Sequence, residues 1–151
     1  MKQIMIFILL VTFCSCATKI PLAEKVRAAN DYVAGIDANN DLETTRVNGV
    51  LTDVSGVTDT GQYVLEYYYN THNNLFRIKN IETTDKVVVE NFYFKNKQLI
   101  FITSETASAS LKKLYISKGK IINESEVDAA YGKILLNKAK MFQKDFKKIS
   151  K

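Results

Sequence analysis

The chain has 151 residues, with 21 basic against 16 acidic side chains for a net charge of +5, one histidine and two cysteines. One histidine, and thiols confined to Cys14 and Cys16, exclude the usual transition-metal sites and cysteine–histidine nucleophiles from the body of the chain on ligand count. No disulfide can form there, so stability rests on a core, and roughly 135 residues are enough for one domain that buries about two-thirds of its chain surface.

At the N-terminus, Lys2 precedes an apolar run from Ile4 to Phe13 that only Thr12 interrupts in polarity. The run is too short to span a bilayer, which takes about 20 apolar residues, and it matches the roughly 7 to 15 of an export signal. Ser15 and Ala17 would suit an ordinary signal-peptidase cut. Cys16 follows the small Ser15, whereas Cys14 follows the bulky Phe13, so Cys16 is the better acceptor for lipid attachment. The tetrapeptide Phe13-Cys14-Ser15-Cys16 resembles the lipobox of a bacterial lipoprotein, with Phe13 where leucine is commonest and Cys14 where a small residue is commonest. The resemblance covers the first 19 residues. It implies that residues 1–15 are a signal peptide, that Cys16 becomes an acylated first residue and that residues 16–20 are a lipidated tether; that residues 21–151 form one domain follows instead from their length and the lack of any repeat or Pro-rich linker. Two or three acyl chains, at about 0.8 kcal/mol per buried methylene, would hold the protein permanently in the cell envelope. The expected location is the outer membrane, facing the periplasm.

Pro21 suits the first turn of a helix, and Leu22, Val26, Ala29, Val33 and Ile36 recur at helical spacing up to the turn-rich Asp37 to Asp41. From about residue 43 the period becomes two. The strands expected are Thr44 to Val54, Gln62 to Asn70, Leu75 to Glu82, Lys86 to Lys95, Gln98 to Thr106, Lys113 to Ser117 and a short Lys120 to Ile122. Their links are short, which calls for antiparallel hairpins and a meander of about six strands in a curled sheet. A second helix follows, capped by Asn123 with Glu126 or by Ser125 with Asp128. Its apolar stripe is broad, from Val127 through Tyr131, Ile134, Leu135, Met141 and Phe142 to Phe146 and Ile149. The order helix, meander, helix reads as α+β, with the C-terminal helix packed on the sheet.

Little in the chain points to chemistry. His72 sits in the polar link Thr71-His72-Asn73-Asn74 and reads as a solvated loop residue. Asp37 and Asp41 lack the glycine and terminal glutamate of a calcium loop, and Gly49, Gly56 and Gly61 open no helix as a phosphate loop would. No metal and no cofactor is expected. Alternation places Tyr63, Tyr67 and Tyr69 on one strand face, either as a ligand-binding surface or as rings beneath a helix. From Lys133 onward seven lysines face Asp145 alone, and Lys140, Lys144, Lys147 and Lys148 would make a basic surface for anionic lipid or an acidic partner. Export argues against nucleic acid. The expected function is a membrane-anchored, non-enzymatic binding or assembly module, with an envelope protein or small ligand as partner. An inhibitor or immunity-like protein acting on an exported enzyme is the alternative, and a carboxylate-based hydrolase a minor one.

Overall fold

The computed structural model describes residues 20–53, 55–125 and 127–150, so Cys16, the signal peptide and the tether up to residue 19 lie outside them. The elements run α1 (Leu22–Asp37), β1 (Glu43–Thr52), β2 (Asp59–Tyr69), β3 (Leu75–Thr83), β4 (Val87–Lys95), β5 (Gln98–Thr106), β6 (Ala109–Ser117), β7 (Lys120–Ser125) and α2 (Ala129–Ile149). The seven strands form one open sheet in sequence order, antiparallel throughout. The fold is α+β with a meander sheet, as the change of period predicts, and each of the seven segments expected as a strand forms one.

Two hairpins turn on two residues each, Asn96-Lys97 and Lys118-Gly119, and all four have positive φ (51°, 65°, 51° and 74°). That backbone is the mirror-image turn whose twist matches the flanking strands. Five of the six ladders carry a register shift, and each such irregularity adds local twist and bend to the strands. The pairing of Lys113 with Ser125 keeps residues 123 to 125 in the β6–β7 ladder. The helix therefore starts later than expected, and neither Asn123 nor Ser125 caps it. Asp128 does, accepting a hydrogen bond from the Tyr131 backbone N–H at 2.9 Å.

Helix α2 buries a narrower stripe than its composition suggests. Gly132, Leu135, Ala139, Phe142 and Phe146 are buried at alternating spacings of three and four, while Ile134, Met141 and Ile149 remain exposed. A helix lying along a sheet presents one seam, and only residues on that seam reach the strands. Beneath it Ile78, Phe92, Ile102 and Leu114 are fully covered, with the Phe142 ring edge-on to Phe92 at 5.6 Å. Gly132 sits at the closest approach, since a Cβ there would come within 2.8 Å of Ile121 Cδ1.

Helix α1 lies on the opposite face, where Ile36 packs with Tyr93, Phe101 and Tyr115. Val26, Ala29 and Val33 pack half-buried against the same cluster, and directed polar bonds add to that contact. Tyr32 donates to the Phe94 carbonyl at 2.8 Å, and Tyr115 donates to Asn30 Oδ1 at 3.0 Å. At the helix C-terminus, Asp37 accepts from Arg77 at 2.6 Å and from the Tyr93 hydroxyl at 3.1 Å, and the Arg77 guanidinium lies over the Tyr68 ring at 3.8 Å. The arginine offsets the unfavourable placement of a carboxylate at a helix C-terminus.

The two kinds of position on α2 should respond differently to truncation. Leu135→Ala removes a fully buried side chain and should cost about 2–5 kcal/mol, whereas Ile134→Ala, one residue away, should stay within about 0.5 kcal/mol. Urea titration of both variants checks this, and equal losses would mean that α2 is rotated from the seam described.

A candidate binding cleft beside the C-terminal helix

A row of polar residues crosses the sheet beneath the first half of α2. Asn80 on β3 stands opposite Glu90 on β4, which stands opposite Ser104 on β5. All three are buried, Asn80 and Glu90 at 1% exposure. Each shares a strand face with a fully buried apolar neighbour two residues away, namely Ile78, Phe92 and Ile102. A carboxylate so deep requires a cation, and α2 brings one. Lys138 Nζ donates to Glu90 at 3.0 and 3.1 Å and to Glu82 Oε1 at 2.7 Å. The Asn80 amide nitrogen also donates to both carboxylates, at 2.8 and 2.9 Å. Two turns earlier on α2, the Tyr131 hydroxyl shares a 2.8 Å hydrogen bond with Ser104, and Lys112 Nζ sits 4.8 Å from the centre of the Tyr131 ring.

Burial works against the Lys138 ammonium, but Glu90 and Glu82 outweigh it and hold its pKa above the ordinary lysine value. The Asn80 Oδ1 has no hydrogen-bond partner in the protein. Turning the amide over would satisfy nothing, because it would point that oxygen at two carboxylates.

Beside the polar row, on the β1 side of α2, lies a cleft of about 240 Å³ bounded by Leu51, Tyr63, Met141 and Phe142, with Asn80 and Glu82 also in its lining. The Tyr63 ring lies across Gly49, its direct partner on β1, and any Cβ at that position would overlap the ring. Apolar walls with a few convergent polar groups are the usual make-up of a small-ligand site. A second cleft, of about 230 Å³, runs along α1 beside Ala29, Ile100 and Tyr115. Its polar side chains are Lys25, Lys95 and Ser117 at the rim and the Tyr115 hydroxyl, which already donates to Asn30, so it lacks a comparable convergent set.

The tyrosine row divides. Tyr67 is 1% exposed and stacks on Phe146 with ring centres 5.6 Å apart, so it is a core residue and cannot meet a ligand. Tyr69 packs against the same ring at 5.2 Å and bonds Thr45 through its hydroxyl at 2.9 Å, which makes it structural as well. Of the three, only Tyr63 borders the cleft. Lys140, Lys144, Lys147 and Lys148 are all exposed on α2, and Lys148 pairs with Asp145 at 2.7 Å. His72 is exposed, with its backbone N–H bonded to Asn70 Oδ1. Sequence reasoning passed over Asn80, Glu82, Glu90 and Lys138. Their signal was present in the alternation, which sets Asn80 and Glu90 among core positions, and in the heptad spacing of Lys138 from Tyr131.

Removing the cation should expose the cost of the buried carboxylate. Lys138→Met is expected to destabilise the fold by about 3–5 kcal/mol, and adding Glu90→Gln in the same chain should recover part of that loss. Urea denaturation of the single and double variants tests this, and a fully additive double variant would show that the two side chains do not interact.

Alkaline titration tests the burial of the phenols. Burial, with help from Asp145 and Asp37 respectively, pushes Tyr67 and Tyr93 up to about 12. Above pH of about 10 the unfolded chain then loses phenolic protons that the fold retains, so stability falls as pH rises from about 10 towards 12. The Lys138 ion pair acts in the same sense: its contribution is present below the unfolded lysine pKa and is lost as pH rises through the higher folded value. The urea midpoint should decline over this window, with a shallower slope in Tyr67→Phe. A flat profile would contradict the burial of both rings.

The chain matches no protein family, no curated protein and no solved structure.

Proposed function

We propose that this chain is a lipid-anchored, non-enzymatic binding module of the bacterial cell envelope, with the cleft beside α2 as its ligand site. The cleft carries the reading, because it places the Tyr63 and Phe142 rings, the apolar side chains of Leu51 and Met141 and part of a supported polar row around a space of about 240 Å³. Of the carboxylates in its lining, Asp145 is bonded to Lys148 and Glu82 belongs to the polar row beside it, an arrangement that favours recognition over catalysis. Glu82 and Glu90 share one lysine and one asparagine amide, whereas a glycosidase pair holds an acid and a base on either side of a substrate bond. Anchoring is supported by the pattern ending at Cys16, and a chain acylated there stays at a membrane without any spanning segment.

Two readouts test the parts of this reading. The mature N-terminal peptide of the wild type should start at Cys16 and carry diacylglyceryl and acyl mass, and Cys16→Ser should abolish both that mass and sedimentation with the envelope. In addition, immobilised wild-type protein should retain a ligand or partner from detergent-solubilised envelope that Met141→Lys, which places a charge on the cleft's apolar wall, fails to retain. An unmodified Cys16 in the wild type would remove the anchor, and identical retention by Met141→Lys would remove the cleft.

A further inference from the structure

In a sheet whose strands follow one another in antiparallel order, alternate links fall at the same end. The β2–β3, β4–β5 and β6–β7 links therefore share one end of this molecule, and the β1–β2, β3–β4 and β5–β6 links share the other. The first end collects lysines from separate parts of the sequence. Lys95 and Lys97 belong to the β4–β5 hairpin, Lys118 and Lys120 to the β6–β7 hairpin, and all four are exposed. The C-terminus of α2 is fixed at this same end, since Gln143 donates to the Lys97 carbonyl at 2.8 Å and Asn73 donates to the Ser150 carbonyl at 3.1 Å. That contact adds the exposed Lys147 and Lys148. The acidic residues at this end are outnumbered: Glu24 and Asp31 on α1 are exposed beside Lys25 and Arg27, and Asp37 is bonded to Arg77. Asp41 and Glu43 sit at the β1 edge, across the sheet from β7, and Asp145 is bonded to Lys148. The links at the other end carry Asp53, Asp59 and Asp85 against Lys86.

The first turns of α1 lie at the basic end as well, because Lys25 and Ala28 border the same cleft as Lys95 and Ser117. The chain therefore enters the domain beside the lysines. Residues 16 to 20, fully extended, reach roughly 17 Å. A tether of that length allows the basic end to settle within about 8 Å of a bilayer surface, the screening length at physiological salt, where each lysine contributes about 1 kcal/mol towards an anionic leaflet.

We infer that the basic end, formed by the β4–β5 hairpin, the β6–β7 hairpin and the C-terminus of α2, is a docking surface for anionic phospholipid headgroups. It orients the anchored domain on its own membrane. The inference takes its setting from the anchored reading, but the charge arrangement is tested without it.

The test is co-sedimentation of the mature chain, residues 16–151 carrying Cys16→Ser and so free of the apolar run Ile4 to Phe13, added from solution to vesicles of phosphatidylcholine alone or with roughly one-third phosphatidylglycerol. Binding should need the anionic lipid and weaken as salt is raised. Lys97→Gln, Lys118→Gln and Lys147→Gln should each lower binding about fivefold, and the triple variant by roughly a hundredfold. Lys86→Gln, at the opposite end, should leave it unchanged. Circular dichroism verifies folding, and because all four positions are exposed, a loss of fold in any single variant would itself contradict the placement. Equal binding to both vesicle types, or an equal effect of Lys86→Gln, would overturn the inference. So would capture of an acidic protein by the lysine end with no preference among vesicles. Acylation at Cys16 is read by mass alone, so the anchor and the docking surface can fail separately.

Discussion

The interaction between Lys138 and Glu90 governs how the two halves of this domain meet. A carboxylate at 1% exposure, in the middle strand of a seven-stranded sheet, is costly to bury without a partner of opposite charge, and here that partner comes from the layer above. The ammonium reaches Glu82 and Glu90 together only from one rotation and one axial position of α2. Apolar seams tolerate sliding by a turn, since Leu135, Ala139, Phe142 and Phe146 would find other greasy surface. A single buried ion pair does not. Its net contribution to stability is small after desolvation, so registration of the helix is the better account of its presence.

The helices on the two faces are held by different physics. Helix α2 rests on a continuous apolar layer with aromatic contacts between 5.2 and 5.6 Å, and its loss would expose the main core. Helix α1 packs a smaller apolar stripe, Val26, Ala29, Val33 and the buried Ile36, and adds directed bonds with Tyr32, Tyr93, Tyr115 and Arg77. Directed bonds fix orientation at modest net energy, about 1 kcal/mol each. If the chain is anchored through Cys16 as proposed, a helix between the tether and the sheet benefits from that character, since it then holds a direction more than it carries stability.

The sequence disclosed the fold well because period is a local property. The change from helical spacing to alternation at residue 43, and the two-residue links Asn96-Lys97 and Lys118-Gly119, located most boundaries within a few residues. It failed near residue 125, where Ser125 and Asp128 are both good caps by type and only the distant pairing with Lys113 decides between them. The site was less legible for the same reason. Tyr67 and Tyr63 have equal standing on one strand face, and what separates them is the position of Phe146 over one and the absence of a side chain at Gly49 beneath the other. Lys138 looked like one of seven C-terminal lysines. Only its place in the seam, above a glutamate in an otherwise apolar strand face, marks it as a different kind of residue.

These features bear on one another through direction. Leu51 borders the β1–β2 link and Glu82 stands one residue from the end of β3, so the cleft leans towards the end of the sheet that carries Asp53 and Asp85. With the lysine end on a bilayer, the cleft would open away from the lipid and towards solvent. A site meant to take a ligand from the aqueous side needs that orientation, and a flexible leash alone does not supply it, because a tethered body free to rotate spends much of its time with the cleft against the membrane. Several weak lysine–headgroup contacts, each about 1 kcal/mol, are enough to bias such a rotation and too weak individually to stop the domain from leaving the surface when a partner competes.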